Sequence, residues 1–297
     1  RSDGERWTME LIRFNAPHGA EIRNLDLSQP MSEETVESVR SAWHENPVLL
    51  FRGQNLDDQQ LMALARNFGE LELPPSRLLL YSHGSGQKND VPPEINVISN
   101  IVEDGKKIGQ LGAEEAKWHT DTGFVEKPPA GSFLHAKELP PEGEGANTSF
   151  LNLYDAYEAL PEDLREQVED RWSKHDPSYT SDGVLRKDFR VYSDPSMGPG
   201  PCHPLVREHP ETGRKALYLG RRFNSYVLGL TVEDSEELLD CLWAHATQDR
   251  FLYEHVWSLG DVLIWDNRCV MHRREAFNPK MRRRMHRAQT AGDRPFR

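Results

Sequence analysis

The sequence predicts a mainly β protein with helical decoration, an α+β sheet sandwich forming one domain over residues 1–297. Short apolar or alternating segments recur along the whole chain, and helical periodicity appears between only some of them. There is also no βαβ rhythm and no Gly-x-Gly-x-x-Gly turn, which disfavours a nucleotide-binding parallel sheet.

The elements follow in order. Glu21 to Leu27 alternates as a half-buried strand does. Ser32-Glu33-Glu34-Thr35 can cap a helix running through Val39 and Trp43. Pro47 to Phe51 is a short apolar strand. Asp57 opens a second helix with Leu61, Leu64, Ala65 and Phe68 on one face, stopped at Gly69. Residues 73–115 are rich in Pro, Gly, Ser and Asn and read as loop around a strand at Ile95–Ile98; a loop of that length is often a cover over a site. Ala130–Ala136 is a strand, and Ala156–Trp172 a helical stretch interrupted at Pro161. Residues 174–200 form a second candidate lid. Val232–Thr247 is an amphipathic helix, Val262–Trp265 a buried strand and Arg282–Ala288 a further strand.

Hydrophobic residues make up 37% and charged residues 28%, a globular balance with no apolar run long enough to span a bilayer. The amino-terminal residues show no apolar core of a signal peptide. A net charge of -12 argues against nucleic acid, whose phosphates need a basic surface. Arg273 to Arg287 reverses that charge locally and points to a bound small anion. Three widely spaced cysteines with no Cys-x-x-Cys fit neither a disulfide framework nor a structural zinc site, and suit a reducing cytoplasm.

The chemistry centres on Trp118-His119-Thr120-Asp121 and the distant His272. On a strand, residues i and i+2 share a face, so His119 and Asp121 can meet one metal. With His272 they make a two-histidine, one-carboxylate facial set whose open positions suit non-haem Fe(II). With 12 histidines in the chain, spacing alone is weak support. The strand parity adds to it: Arg283, Met285 and Arg287 fall on one face. Two arginines turned to a core are costly unless each meets an anion, and the guanidinium fork matches a carboxylate. A solvated basic edge strand would explain the same residues.

The ordered blocks resemble a family, the taurine dioxygenase and 2,4-dichlorophenoxyacetate dioxygenase family of Fe(II)/2-oxoglutarate oxygenases. They include Trp118-His119-Thr120-Asp121 with Pro128-Pro129-Ala130-Gly131, and Ala136-Lys137-Glu138-Leu139-Pro140 with Gly145 to Phe150. Ala156 to Leu160, His203-Pro204-Leu205-Val206 and His209 to Gly213 follow. Trp265-Asp266-Asn267-Arg268, His272, Arg283 to Arg287 and Gly292-Asp293-Arg294-Pro295 complete the set. The resemblance implies a double-stranded β-helix, or cupin-like jelly roll, with outer helices and lid loops. It implies that His119, Asp121 and His272 bind Fe(II), and that Arg283 and Thr148 hold the distal carboxylate of the cosubstrate 2-oxoglutarate. Trp265 would pack near that cosubstrate or serve the core. Arg287 matches a position that binds a substrate sulfonate, and Phe223 an aromatic position on the substrate side.

The sequence departs from the taurine enzyme where that enzyme has a substrate-binding His and Tyr. Pro74 and Arg77 stand there, with Tyr81 or His83 nearby, and the Asn expected before Trp118 is missing. Arg221 and Arg222 before Phe223 are further anion anchors or solvent-exposed charges. The expectation is therefore a dioxygenase that hydroxylates a small anionic carboxylate or sulfonate other than taurine, using O2 and releasing succinate and CO2. A taurine or alkylsulfonate dioxygenase is the alternative; a zinc hydrolase or a small-anion binding protein on the same fold would use the same residues differently. By resemblance the chain forms a homo-oligomer, a dimer or tetramer.

Overall fold

A computed structural model describes residues 8–75 and 91–297. In chain order the elements begin with β1 (Glu10–Arg13), β2 (Ala20–Arg23), α1 (Glu33–Glu45), β3 (Val48–Phe51), α2 (Asp58–Arg66) and β4 (Asn96–Ser99). A small hairpin of β5 (Val102–Glu103) and β6 (Lys106–Lys107) follows, then β7 (Ala116–His119), β8 (Gly131–Glu138), β9 (Thr148–Asn152), α3 (Leu153–Glu158) and α4 (Glu162–Val168). Next come β10 (Trp172–Lys174), β11 (Cys202–Pro204), β12 (Val206–Glu208), β13 (Lys215–Leu217), β14 (Tyr226–Val227) and α5 (Val232–Ala246). The chain closes with β15 (Leu252–His255), β16 (Val262–Asp266), β17 (Val270–Arg274) and β18 (Arg284–Gln289).

Two sheets make the jelly roll. The larger has the order β1-β2-β3-β16-β8-β18-β4 and the smaller β15-β9-β17-β7. Alternation along each strand decides what lies between them. From β3 and β16, Val48, Leu50, Leu263 and Trp265 enter the inner core with Leu134, Phe150 and Met285. Leu49, Phe51, Val262, Ile264, Phe133 and Ala288 turn outward, under Val39 and Trp43 of α1 and Leu61 and Ala65 of α2. Strands covered on both faces lose the polar side of their pattern, which is why β3 and β16 read as continuous apolar runs. Gly131 lies where Trp43 crosses β8; a Cβ there would sit 2.6 Å from the Trp43 ring.

The local signals at the helix starts act as expected. Ser32 accepts the backbone N–H of Thr35. Asp57 and Gln60 exchange hydrogen bonds in a capping box. Three expectations are corrected in their bounds. The 156–172 stretch is interrupted at Pro161 as expected, giving α3 and α4, but the helical part ends at Val168 and Trp172 begins β10. The Glu21–Leu27 strand is shorter, because Asn24 turns at φ 59. The loop after β4 contains the β5–β6 hairpin, pinned by Asp104 and Gly105 at positive φ.

Candidate metal centre and active site

β7, β17 and β9 bring the site together. His119 pairs with His272 across β7 and β17, and His272 pairs with Phe150 across β17 and β9. Directly paired residues project to the same face, so both imidazoles point into the roll, their ring centroids 4.2 Å apart. Asp121 is not on the strand as the i, i+2 argument supposes: β7 ends at His119. Asn267 places it instead. The Asn267 side chain accepts the Asp121 N–H (2.8 Å) and donates to the Asp121 carbonyl (2.9 Å). Ligating atoms of His119, Asp121 and His272 then lie within 4.8 Å of one another, all three residues buried.

The electrostatics favour a cation here. Burial opposes ionisation of Asp121, but its neighbours, the Arg287 guanidinium foremost, outweigh it and hold the carboxyl well below its ordinary range. Burial, then the neighbouring His119, lowers His272 to about 3, so its imidazole is neutral and free to ligate. His119 Nδ1 lies 2.6 Å from the Lys117 carbonyl, an acceptor that requires the proton on Nδ1 and leaves the Nε2 lone pair for a metal. Ser132 Oγ (2.9 Å) and Gln289 Nε2 (3.1 Å) donate to Asp121 Oδ2, and Arg287 donates to Oδ1 at 2.9 Å.

The triad opens into a cavity of about 550 Å3, within the range of small-ligand sites. Arg283, Arg287, Thr148 and Trp265 all line it. The backbone explains the arginines: β18 begins at Arg284, with a bulge between Arg284 and Met285 where it pairs with β8, and Arg283 stands just before it. Arg284 and His286 face outward to Glu138 and Asp58. Arg283 is buried with no carboxylate partner among the described residues, and its Nε has no hydrogen bond. Burial, then the adjacent Arg274, brings its guanidinium down to about 9. Arg274 is buried too, bonded to the carbonyls of Gly112 and Glu114, with its own Nε unpartnered. On β9, Thr148 pairs with Arg274; its Oγ1 accepts from Trp257 Nε1 at 2.9 Å and so can donate to an anion. Trp265 is 1% exposed, its ring 4.8 Å from His272.

The remaining sequence-predicted residues differ in placement. Arg287, expected at the substrate, lines the metal cavity with its guanidinium engaged by Asp121. Phe223 is 54% exposed, its ring tilted against Tyr179, and it lines a neighbouring cavity of about 670 Å3 rather than the metal cavity. Arg77, Tyr81 and His83 lie outside the described residues. Arg222 is paired with Glu236 and Asp240, whereas Arg221 is partly buried and lines both cavities. The sequence reasoning passed over Asn267, Ser132 and Gln289. Gln289 was reachable, since it continues the Arg283, Met285, Arg287 parity by one more step.

The residues fit Fe(II) and 2-oxoglutarate. A facial set of two imidazoles and a carboxylate suits non-haem iron, and a buried arginine pair with no ion-paired carboxylate among the described residues, beside a hydroxyl donor, suits a carboxylate. The chain matches the family described as "Taurine catabolism dioxygenase TauD, TfdA family" over residues 13–289. It is 35% identical over 288 residues to the alpha-ketoglutarate-dependent 2,4-dichlorophenoxyacetate dioxygenase of Cupriavidus pinatubonensis, covering 92% of this chain and 94% of that one. It is 32% identical to pentalenolactone F synthase of Streptomyces avermitilis, covering 93% and 92%. Among solved structures, AAD-2 in complex with Mn(II) and N-oxalylglycine aligns with a TM-score of 0.77 at 30% identity, covering 97% of this chain and 99% of that one. This chain belongs to the TauD/TfdA family of 2-oxoglutarate-dependent non-haem iron dioxygenases.

Proposed function

We propose that this dioxygenase hydroxylates a small organic acid, a carboxylate or sulfonate other than taurine. The observation that carries the reading is one cavity holding a His-Asp-His triad next to two buried arginines, Arg283 and Arg274, that form no ion pair with a carboxylate among the described residues. Arg283 and Thr148 take the distal carboxylate of 2-oxoglutarate, Arg283 by its guanidinium fork and Thr148 by its hydroxyl. Trp257, by donating to Thr148 Oγ1, fixes the hydroxyl proton toward that anion. His119, Asp121 and His272 hold the iron, and Asn267, Ser132, Gln289 and Arg287 keep Asp121 oriented and ionised. Trp265 and Leu134 wall the inner side, with Phe150 packed against Trp265, and exclude water. Iron supplies the activation of O2 through which 2-oxoglutarate is oxidised and decarboxylated to succinate and CO2, one oxygen atom entering succinate and the other converting a substrate C–H to C–OH.

Against taurine stands the segment at the cavity mouth. Pro74 occupies the place where the taurine enzyme has a His, and Pro75 lines the cavity, so neither offers a hydrogen-bonding side chain there. The similar Cupriavidus enzyme is named for an aryloxyacetate, which is an acid of the proposed kind. The proposal includes a homodimer or homotetramer and a cytoplasmic location. All three cysteines are free, and no helix among the described residues is long and apolar enough to cross a membrane.

The test is succinate release from 2-oxoglutarate under Fe(II) and O2 with a series of organic acids. Coupled turnover with at least one acid is expected; no succinate with any of them overturns the proposal. Arg283→Ala is expected to raise the KM for 2-oxoglutarate roughly 10- to 100-fold, the loss of a charge-assisted carboxylate contact, with a smaller effect on the organic acid. A larger effect on the organic acid would reverse the assignment.

A further inference from the structure

We infer that Arg221 receives the anionic group of the primary substrate and so determines which acids the enzyme accepts. The inference rests on the dioxygenase reading above. It begins with backbone pairing: Arg221 forms an isolated antiparallel bridge with the metal-ligand residue His119, and Gly220 O accepts the Thr120 N–H at 2.9 Å. Residues paired in this way project to one face. The side chain of Arg221 therefore extends the inward row Phe150, His272, His119, and lies on the opposite side of His119 from His272.

Charge balance separates Arg221 from the other arginines of the cavity. Arg287 is compensated by Asp121. Arg274 and Arg283 lie together on the Thr148 side, where one distal carboxylate answers both. Arg221 is partly buried, and among the described residues no carboxylate forms an ion pair with it, Asp121 and Asp182 acting on it only from further off. Its bonds go to neutral groups, the Tyr179 carbonyl (2.6 Å) and Ser181 Oγ (2.9 Å), and its Nε has no partner. Burial, then the charge of Arg186, lowers it to about 9. A guanidinium drawn partly out of water with no carboxylate in direct contact is costly, and an anion entering the cavity offsets that cost. The cation also lies over the Phe124 ring, 4.7 Å from its centroid, and that buried ring offers an apolar surface to the carbon skeleton of a bound acid. Thr180, Ser181 and Val184 of the covering segment close the same side of the cavity.

The experiment uses the full-length enzyme loaded anaerobically with Fe(II) and 2-oxoglutarate, reading the perturbation of the metal-to-ligand absorption. The probes are 2,4-dichlorophenoxyacetate, hexanesulfonate and hexyl sulfate, each beside an uncharged analogue such as 2,4-dichlorophenoxyacetamide. For whichever anion binds the wild type, Arg221→Met is expected to weaken binding roughly 10- to 100-fold, the loss expected for a charge-assisted hydrogen bond. Binding of the uncharged analogue should change less than threefold, and Arg221→Lys should recover part of the anion affinity. Because Arg221 also holds the 179–181 backbone, a purely structural role would weaken the anion and its uncharged analogue alike, and Lys would restore neither. That result overturns the inference, as does an anion affinity that survives Arg221→Met but is lost in Arg287→Met. If the wild type binds none of the three anions while retaining 2-oxoglutarate, the anionic-substrate reading itself fails. If Arg221→Met does not fold, the comparison is made with Arg221→Lys and Arg221→Gln, where only the Gln variant should lose discrimination between anion and uncharged analogue.

Discussion

Glu72 and Asp121 are carboxylates in opposite circumstances, and the contrast shows how placement controls charge. Asp121 is surrounded by donors and cations and stays ionised although buried. Glu72 is partly buried, with Oε2 unpartnered, and burial raises its carboxyl from 4.5 to about 7. Its folded-state pKa therefore exceeds the unfolded value, so the folded protein holds the proton more tightly. The sign follows: this contribution to stability is present below about pH 4.5 and is lost as pH rises through 7. Glu72→Gln is expected to raise the melting temperature relative to wild type at pH 8 and to leave it little changed at pH 4. A difference of the same size at both pH values would show that Glu72 does not titrate in this way. At this scale the sequence identified His119, Asp121 and His272 through resemblance to a family. It could not identify Glu72, whose shift comes from neighbours distant in sequence.

The segment between β13 and β14 shows what a short connection can position. Gly220 adopts φ +64 and lies against His175; a Cβ would meet His175 Nδ1 at 2.1 Å. His175 is itself buried beside His203 and Tyr218 and cannot easily yield. Gly220→Ala would combine a left-handed backbone strain with this clash. We expect it to cost about 1–3 kcal/mol, measured by denaturant unfolding. Because Gly220 also accepts the Thr120 N–H and precedes Arg221, the variant should weaken substrate binding as well. An alanine variant of wild-type stability would show that the segment relaxes freely. Other elements were legible from local signals. Ser32 and Asp57 mark the starts of α1 and α2, and apolar runs mark β3 and β16. The split of α3 from α4 was legible at Pro161, but the end of β7 before Asp121, which Asn267 holds, is one that a periodicity reading smooths over.

On the scale of the whole molecule, the metal ligands come from two strands and a turn that meet only when the smaller sheet closes. His119 and His272 are separated by most of the carboxyl-terminal half of the chain. Ligation by all three residues should therefore stabilise the folded state as a unit. With Mn(II) as an oxygen-stable substitute and 2-oxoglutarate, each at about 100 times its Kd, binding adds about 2.7 kcal/mol for each independent ligand. Thermal unfolding should rise by several degrees on addition and fall again with chelator, and Asp121→Ala should abolish the metal-dependent part. An equal metal shift in Asp121→Ala would place the ion elsewhere.

Taken alone, the sequence determined the sheet-rich class, the helix starts and the inward parity of Arg283 and Arg287, since each depends on residue type and short-range spacing, while the three metal ligands were legible only through resemblance to a family. Pairing between distant strands decided the rest. It compensated Arg287 with Asp121 and left Arg283 beside Arg274 without a carboxylate. It set Phe223 outside the metal cavity and turned Arg221 into it from beside His119. An arginine reads the same in a sequence whether it is solvated, paired or waiting for an anion. Only its partners distinguish these states, and folding supplies the partners.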